Sequence, residues 1–211
     1  MKTIAVGLMA VMLAACAARQ VEPSWRPNAT SALDSFSDAF LKGDSAIAAV
    51  DFARARVELT GTGRADLVAH AELVRCAVQT ASLDGGRCDG FVPLAQDAGA
   101  AQRAYAAYLA GQWQGLAAAL LPQQHRPIAG GAGGLAAVAD PLSRLVAAGA
   151  MLQAGRIAPA DIAIAIDTAS AHGWRRPLLA WLGVAAQRAK ASGDTAELAR
   201  IERRIALAAS R

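Results

Sequence analysis

Aromatic side chains are scarce. Phe, Trp and Tyr make up 5% of the 211 residues, although 55% of the chain is hydrophobic. The interior must therefore be built from aliphatic side chains, with alanine prominent among them. Alanine loses no side-chain entropy in a helix, so the composition suits closely packed helices. Strand patterning is missing too. The stretch Asp161-Ile-Ala-Ile-Ala-Ile166 alternates, but only isoleucine with alanine, and its flanks read as helical. After the first fifteen residues no apolar run reaches the roughly 18 residues that a spanning helix needs. A strong charge of one sign is also lacking. The formal net charge is +4. That permits contact with anionic headgroups or an acidic partner and leaves no nucleic-acid footprint.

Catalytic signatures are equally sparse. There is no Gly-x-Ser-x-Gly elbow, no Ser-x-x-Lys and no His-Glu-x-x-His. The cluster Gly130-Gly131-Ala132-Gly133-Gly134 has no strand before it and no Gly-Lys-Ser/Thr after it, so it reads as a loop. His70, His125 and His172 lie far apart; His70 sits at the edge of an apolar stripe and His172 at a helix end. No cofactor or metal is expected. Paired carboxylates for glycan cleavage are assembled by a fold and not by spacing. An envelope enzyme acting on cell-wall glycan or peptide therefore stands as the alternative function.

Three cysteines are present. Cys76 and Cys88 flank the turn signal Asp84-Gly85-Gly86, and their spacing fits neither Cys-x-x-Cys nor a zinc ligand set. In an oxidising compartment this even pair is expected to form a disulfide. Helical phase over 65–83 places Leu67, Ala71, Val74 and Val78 on one stripe and Cys76 opposite it, so the bond is expected across an outer face.

The third cysteine, Cys16, follows Leu13-Ala14-Ala15. Lys2 and the uncharged stretch Ile4–Leu13 precede it, too short to span a bilayer and fitting a signal-peptide core. The tetrad resembles a bacterial lipobox. The resemblance implies cleavage before Cys16, acylation of that cysteine and attachment to a membrane by lipid. Ala17 follows it where aspartate would favour inner-membrane retention, which implies the periplasmic side of the outer membrane. Without Lys2 the mature chain has 20 basic and 17 acidic residues, a net of +3.

The expected organisation is a signal peptide over 1–15, a lipidated tether over 16–30 and an all-α domain over 31–211, with a soft boundary at 122–134. Pro23, Pro27, Ser24 and Asn28 make the tether extended, and Trp25 in it can touch headgroups or dock on the domain. Ser31 is the expected cap of a first helix that Gly43 stops. Asp44 caps the next, which runs to about Leu59. Further helices are expected over 65–83, 98–110 and 113–121, followed by an irregular stretch from 123 to 134. Asp140-Pro141, Pro159, Pro177 and the pair Asp194/Glu197 mark four more starts. In the last helix Leu198, Ile201, Ile205 and Ala208 share one face; Arg200, Arg203 and Arg204 share the other.

Four helix ends repeat a small pattern around Gly43, Gly111, Gly155 and Gly193. The stretches Tyr105-Ala-Ala-Tyr-Leu-Ala-Gly-Gln-Trp113 and Ala191-Ser-Gly-Asp-Thr-Ala196 resemble the turn between paired helices of tetratricopeptide-like repeats. The glycines are 68, 44 and 38 residues apart, against about 34 for regular repeats. The resemblance implies antiparallel helix hairpins stacked as a degenerate array or bundle. With the lipobox, the chain is similar to uncharacterised lipoproteins of high-GC Gram-negative bacteria. Such stacks serve as docking platforms, so a tethered binding or scaffolding module with an envelope protein partner is expected. Trp174, Arg175 and Arg176, in a helix–helix connection, are the candidate partner-binding residues, because tryptophan and arginine concentrate at interface centres. Trp181, beside the stripe Leu178, Leu182, Ala185 and Ala189, reads as core.

Overall fold

The computed structural model describes residues 23–85 and 87–210. The signal segment 1–15, the lipobox with Cys16, and residues 17–22 of the tether lie outside the described residues. Within them the protein is all-α, with no strand and nine α-helices. These are α1 (Trp25–Lys42), α2 (Ser45–Thr60), α3 (Ala65–Ala81), α4 (Ala100–Leu109), α5 (Arg126–Ala129), α6 (Pro141–Gln153), α7 (Pro159–Ala171), α8 (Arg175–Ser192) and α9 (Thr195–Ala209). No described helix is long and apolar enough to cross a membrane.

The hairpin logic is visible at the ends. Gly43, Gly111, Gly155 and Gly193 adopt φ between 67° and 96°, a region costly for residues with a Cβ. Asp140 accepts from the Ser143 amide at 2.6 Å with Pro141 at the first helical position. Asp194 accepts from the Glu197 amide at 2.9 Å, but the Glu197 carboxylate turns to Arg200 instead of closing a capping box.

α3 is the central element. Its buried residues divide between two apolar clusters. Val68, Ala71 and Val78 join α1 and α2 in the smaller one; Ala69, Leu73, Cys76, Ala77 and Ala81 join the larger one with α4, α6, α7, α8 and α9. Sequential neighbours pack on one another from α6 to α9, and α3 lies on α6. At that crossing a Cβ on Gly149 would drive into the Thr80 carbonyl, within 2.8 Å of its carbon, so only glycine permits the approach. Trp181 is fully buried and donates its indole N–H to the Ala81 carbonyl at 3.1 Å, satisfying an end group of α3.

Several boundaries differ from the sequence expectation. α1 begins at Trp25, so residues 25–30 are helical and Ser31 lies inside the helix instead of capping it. Pro27 is tolerated because first-turn amides have no helical acceptor. Trp25 packs against the smaller cluster. α8 begins at Arg175 for the same reason, with Pro177 in its first turn. The helix expected over 113–121 is broken: Gly115 turns at φ 70°, and only Ala118–Leu120 forms a 3-10 turn. The stretch 123–134 is less irregular than expected. It holds a 3-10 turn at Gln123–His125 and α5, whose end is closed by the Ala132 and Gly133 amides on the Pro127 carbonyl. Cys76 faces inward, 6% exposed, because α3 is covered on both sides and has no outer face there. The disulfide with Cys88 is formed, with Cα atoms 5.2 Å apart, and belongs to the larger core.

Candidate binding surfaces

The connection between α7 and α8 carries Trp174, Arg175 and Arg176. Arg176 is committed inside the protein. Its Nε donates to the Phe40 carbonyl at 2.8 Å and its Nη2 to Ser45 Oγ at 2.6 Å. Its Nη1 lies 3.4 Å from Asp84, and its guanidinium carbon sits 4.2 Å above the Phe40 ring centroid. One side chain thus joins α1, α2, the turn after α3 and α8. Trp174 is partly buried, packs against both clusters and stacks on His172 with centroids 4.8 Å apart. Arg175 lies against the end of α1, where a Cβ on Gly43 would come within 3.0 Å of Nη2. It also lines a surface groove.

That groove follows α8 between α7 and α9. Both flanking helices pack on α8. Near the start of α9 a cavity of about 470 Å³ is bounded by Ile162, Asp167, Arg188, Glu197 and Ile201. Near its end a cavity of about 360 Å³ is bounded by Gly173, Arg175, Leu178 and Leu207. Arg204 lines both, so the two are halves of one trough. Arg200 donates to the Glu197 carboxylate from Nε at 2.7 Å and Nη2 at 2.6 Å, which holds Glu197 below the usual carboxylate range and pairs the Arg200 charge. Arg188 and Arg204 form no ion pair within the described residues, nor does Asp167. Arg204 also lowers Glu197 electrostatically, so the trough offers an aliphatic floor with charged walls on which Arg188 and Asp167 form no ion pair.

Two polar clusters lie inside the protein, and the sequence reading singled out neither. The Glu72 carboxylate is fully buried in α3 between Arg56 and Arg75, with Arg75 Nη2 at 2.6 Å. Arg75 also covers the Phe52 ring at 4.7 Å. The arginine three residues after a glutamate inside an apolar run was the available signal. The second cluster stacks Tyr105, Tyr108, Trp113 and His125. Tyr108 Oη and His125 Nδ1 are 3.3 Å apart. Burial pushes the His125 pKa down to about 4, against a smaller opposing pull from Asp140, and pushes both tyrosine hydroxyls up. The imidazole is thus neutral and the phenols protonated at neutral pH, which suits packing and offers no ionised nucleophile. His70 on α3 edges an apolar cavity of about 330 Å³ with Leu73, Tyr105 and Leu120, and desolvation lowers its pKa. Among the described residues no group of three His, Cys, Asp or Glu side chains is placed to hold a metal ion.

The chain matches no known family model, no curated protein and no solved structure.

Proposed function

We propose that this protein is a lipid-anchored envelope protein, acylated at Cys16 and held on the periplasmic side of the outer membrane, that binds a protein partner along the α7–α8–α9 trough. The trough carries the reading: it is a long concave surface with an apolar floor of Leu178, Ala185 and Ile201 and charged walls at Arg188, Arg204 and Asp167. Such a surface suits a segment that presents aliphatic side chains and acidic groups together. Arg175, at the end of the trough, belongs to this surface. Arg176 and Trp174 support it from behind.

Arg188→Glu with Arg204→Glu tests the assignment. Neither side chain holds the fold together, so the melting temperature should stay within about a degree of the parent. Recovery of a crosslinked partner from native envelopes should fall. Undiminished recovery would refute the trough as the binding surface. Fractionation tests the anchor: Cys16→Ser should move the protein out of the membrane fraction, and an unchanged distribution would refute lipidation.

A further inference from the structure

α2 is apolar on two opposite sides. Ala48, Phe52, Ala55 and Leu59 point into the smaller core. Ile47, Val50 and Val57 point outward, 58%, 66% and 70% exposed. Three of the six large exposed hydrophobic residues on the described surface thus share this one helix. At 3.6 residues per turn they fall, with the exposed Ala46, Ala49 and Ala53, within about 160° of the helix surface. Arg54 is the one charge in that arc, 62% exposed, with Asp51 3.7 Å away. A surface helix of a soluble domain carries charged and polar residues on its outer side; an apolar outer side meets something apolar. Among the described residues α2 packs on α1 and α3, which lie on its inner side.

Size and position decide what covers it. The face is about 18 Å long and 10 Å wide, so its footprint is about 180 Å². A stable protein–protein contact buries about 800 Å² on each partner. A bilayer requires no matching shape and rewards aliphatic area in proportion to its burial. Position favours the bilayer as well. Asn28 Nδ2 donates to Glu58 Oε1 at 3.1 Å, which ties the end of α2 to the first turn of α1, where the described chain begins. Cys16 precedes Trp25 by nine residues, a reach of at most about 30 Å. An acyl anchor at Cys16 therefore keeps the whole of α2 within range of the membrane. A tether of this length also makes a weak contact effective, because binding becomes intramolecular.

We infer that the outward face of α2, formed by Ile47, Val50 and Val57 with Ala46, Ala49 and Ala53, rests on the lipid bilayer when the mature chain is anchored. The inference rests on the anchored reading above and adds an orientation to it. The N-terminal hairpin lies on the membrane, and the trough on α7, α8 and α9 remains open to a partner.

The test supplies the anchor independently of the cell. The chain from Cys16, with Cys76 and Cys88 bonded, is coupled through its free Cys16 thiol to maleimide-phosphatidylethanolamine in vesicles of phosphatidylethanolamine and phosphatidylglycerol. A photoreactive benzoylphenylalanine replaces Val50, or Arg203 as an exposed control on α9. Phospholipid adducts at position 50 and none above background at position 203 are expected. Val50→Glu with Val57→Glu, at positions that the fold leaves exposed, should reduce adducts from a probe at Ile47 to the level of the control. Equal labelling at positions 50 and 203 overturns the inference. So does crosslinking of position 50 to a second copy of this chain, or to an envelope protein in place of lipid when the probe is used in native membranes. The anchored reading fails separately, if the N-terminal peptide from cell membranes carries no acyl mass at Cys16.

Discussion

Truncating Arg176 is the sharpest test of how the two clusters are held together. Arg176→Ala removes donors to the Phe40 carbonyl and Ser45 Oγ, an ion pair with Asp84 and a cation over the Phe40 ring. The Phe40 carbonyl belongs to the last turn of α1, so the loss strips a partner from an end group. Hydrogen bonds from charged donors contribute about 1.5–3 kcal/mol. The Arg176 side chain is 23% exposed and Asp84 56%, so water replaces part of the loss and the Asp84 pair contributes little. Cation–π contact adds about 0.5–1 kcal/mol. The expected net cost is about 2–3 kcal/mol, which for a chain of this size lowers the melting temperature by about 4–12 °C. Thermal unfolding followed by far-UV circular dichroism reads it directly. Arg176→Lys keeps the charge but cannot reach both α1 and α2 with one planar fork, so it should recover less than half of the loss. A melting temperature within about a degree of the parent for Arg176→Ala would refute the argument. It would also leave this residue with only the partner-binding role that the sequence alone suggested.

Other consequences can be measured with the same preparations. Gly149→Ala forces α3 and α6 apart at the Thr80 carbonyl and should cost at least the 1–3 kcal/mol typical of overpacking, read as a lower urea midpoint. Reducing Cys76–Cys88, or Cys76→Ser with Cys88→Ser, releases a loop with a sequence separation of 12 and should lower unfolding free energy by about 3 kcal/mol. His125 predicts a pH dependence. Its pKa is lowered from 6.5 to about 4 in the fold, so the unfolded chain binds the extra proton between those values. Stability from this group is present above pH 6.5 and is lost as pH falls toward 4, by roughly 2–3 kcal/mol, and His125→Asn should flatten that slope.

Local chemistry was the most legible part of the fold. Glycine at positive φ after Lys42, Ala110, Ala154 and Ser192, and aspartate at 140 and 194, act on their own neighbours, so their effect is readable without knowing what packs where. The same locality misplaced two helix starts. Pro177, read as the first helical residue, and Pro27, read as part of an extended tether, both sit third in their helices, because a proline is tolerated anywhere in the first turn. The direction of Cys76 was not local at all. A single apolar stripe implies one buried face, but α3 is buried between two clusters, and small alanines on its second face gave a weak signal. The internal partners of Arg176 were hidden for a related reason: Phe40 is 136 residues away, and nothing within the connection names that acceptor.

α2 shows the limit from the other side. Its sequence holds two apolar arcs, Ala46, Ile47, Ala49, Val50, Ala53 and Val57 on one and Ala48, Phe52, Ala55 and Leu59 on the other, with Asp51, Glu58 and Arg56 between them, so periodicity alone cannot say which arc faces the core. The structure chooses the arc of Phe52, because that ring meets Phe36 at 5.1 Å between centroids and closes the smaller cluster. The residual arc of isoleucine and valine then stays exposed among the described residues. Replacing those residues with polar ones would leave the α1–α3 packing intact and relieve an aggregation hazard. Burial among the described residues thus does not account for an aliphatic face there, whereas the bilayer contact inferred above would.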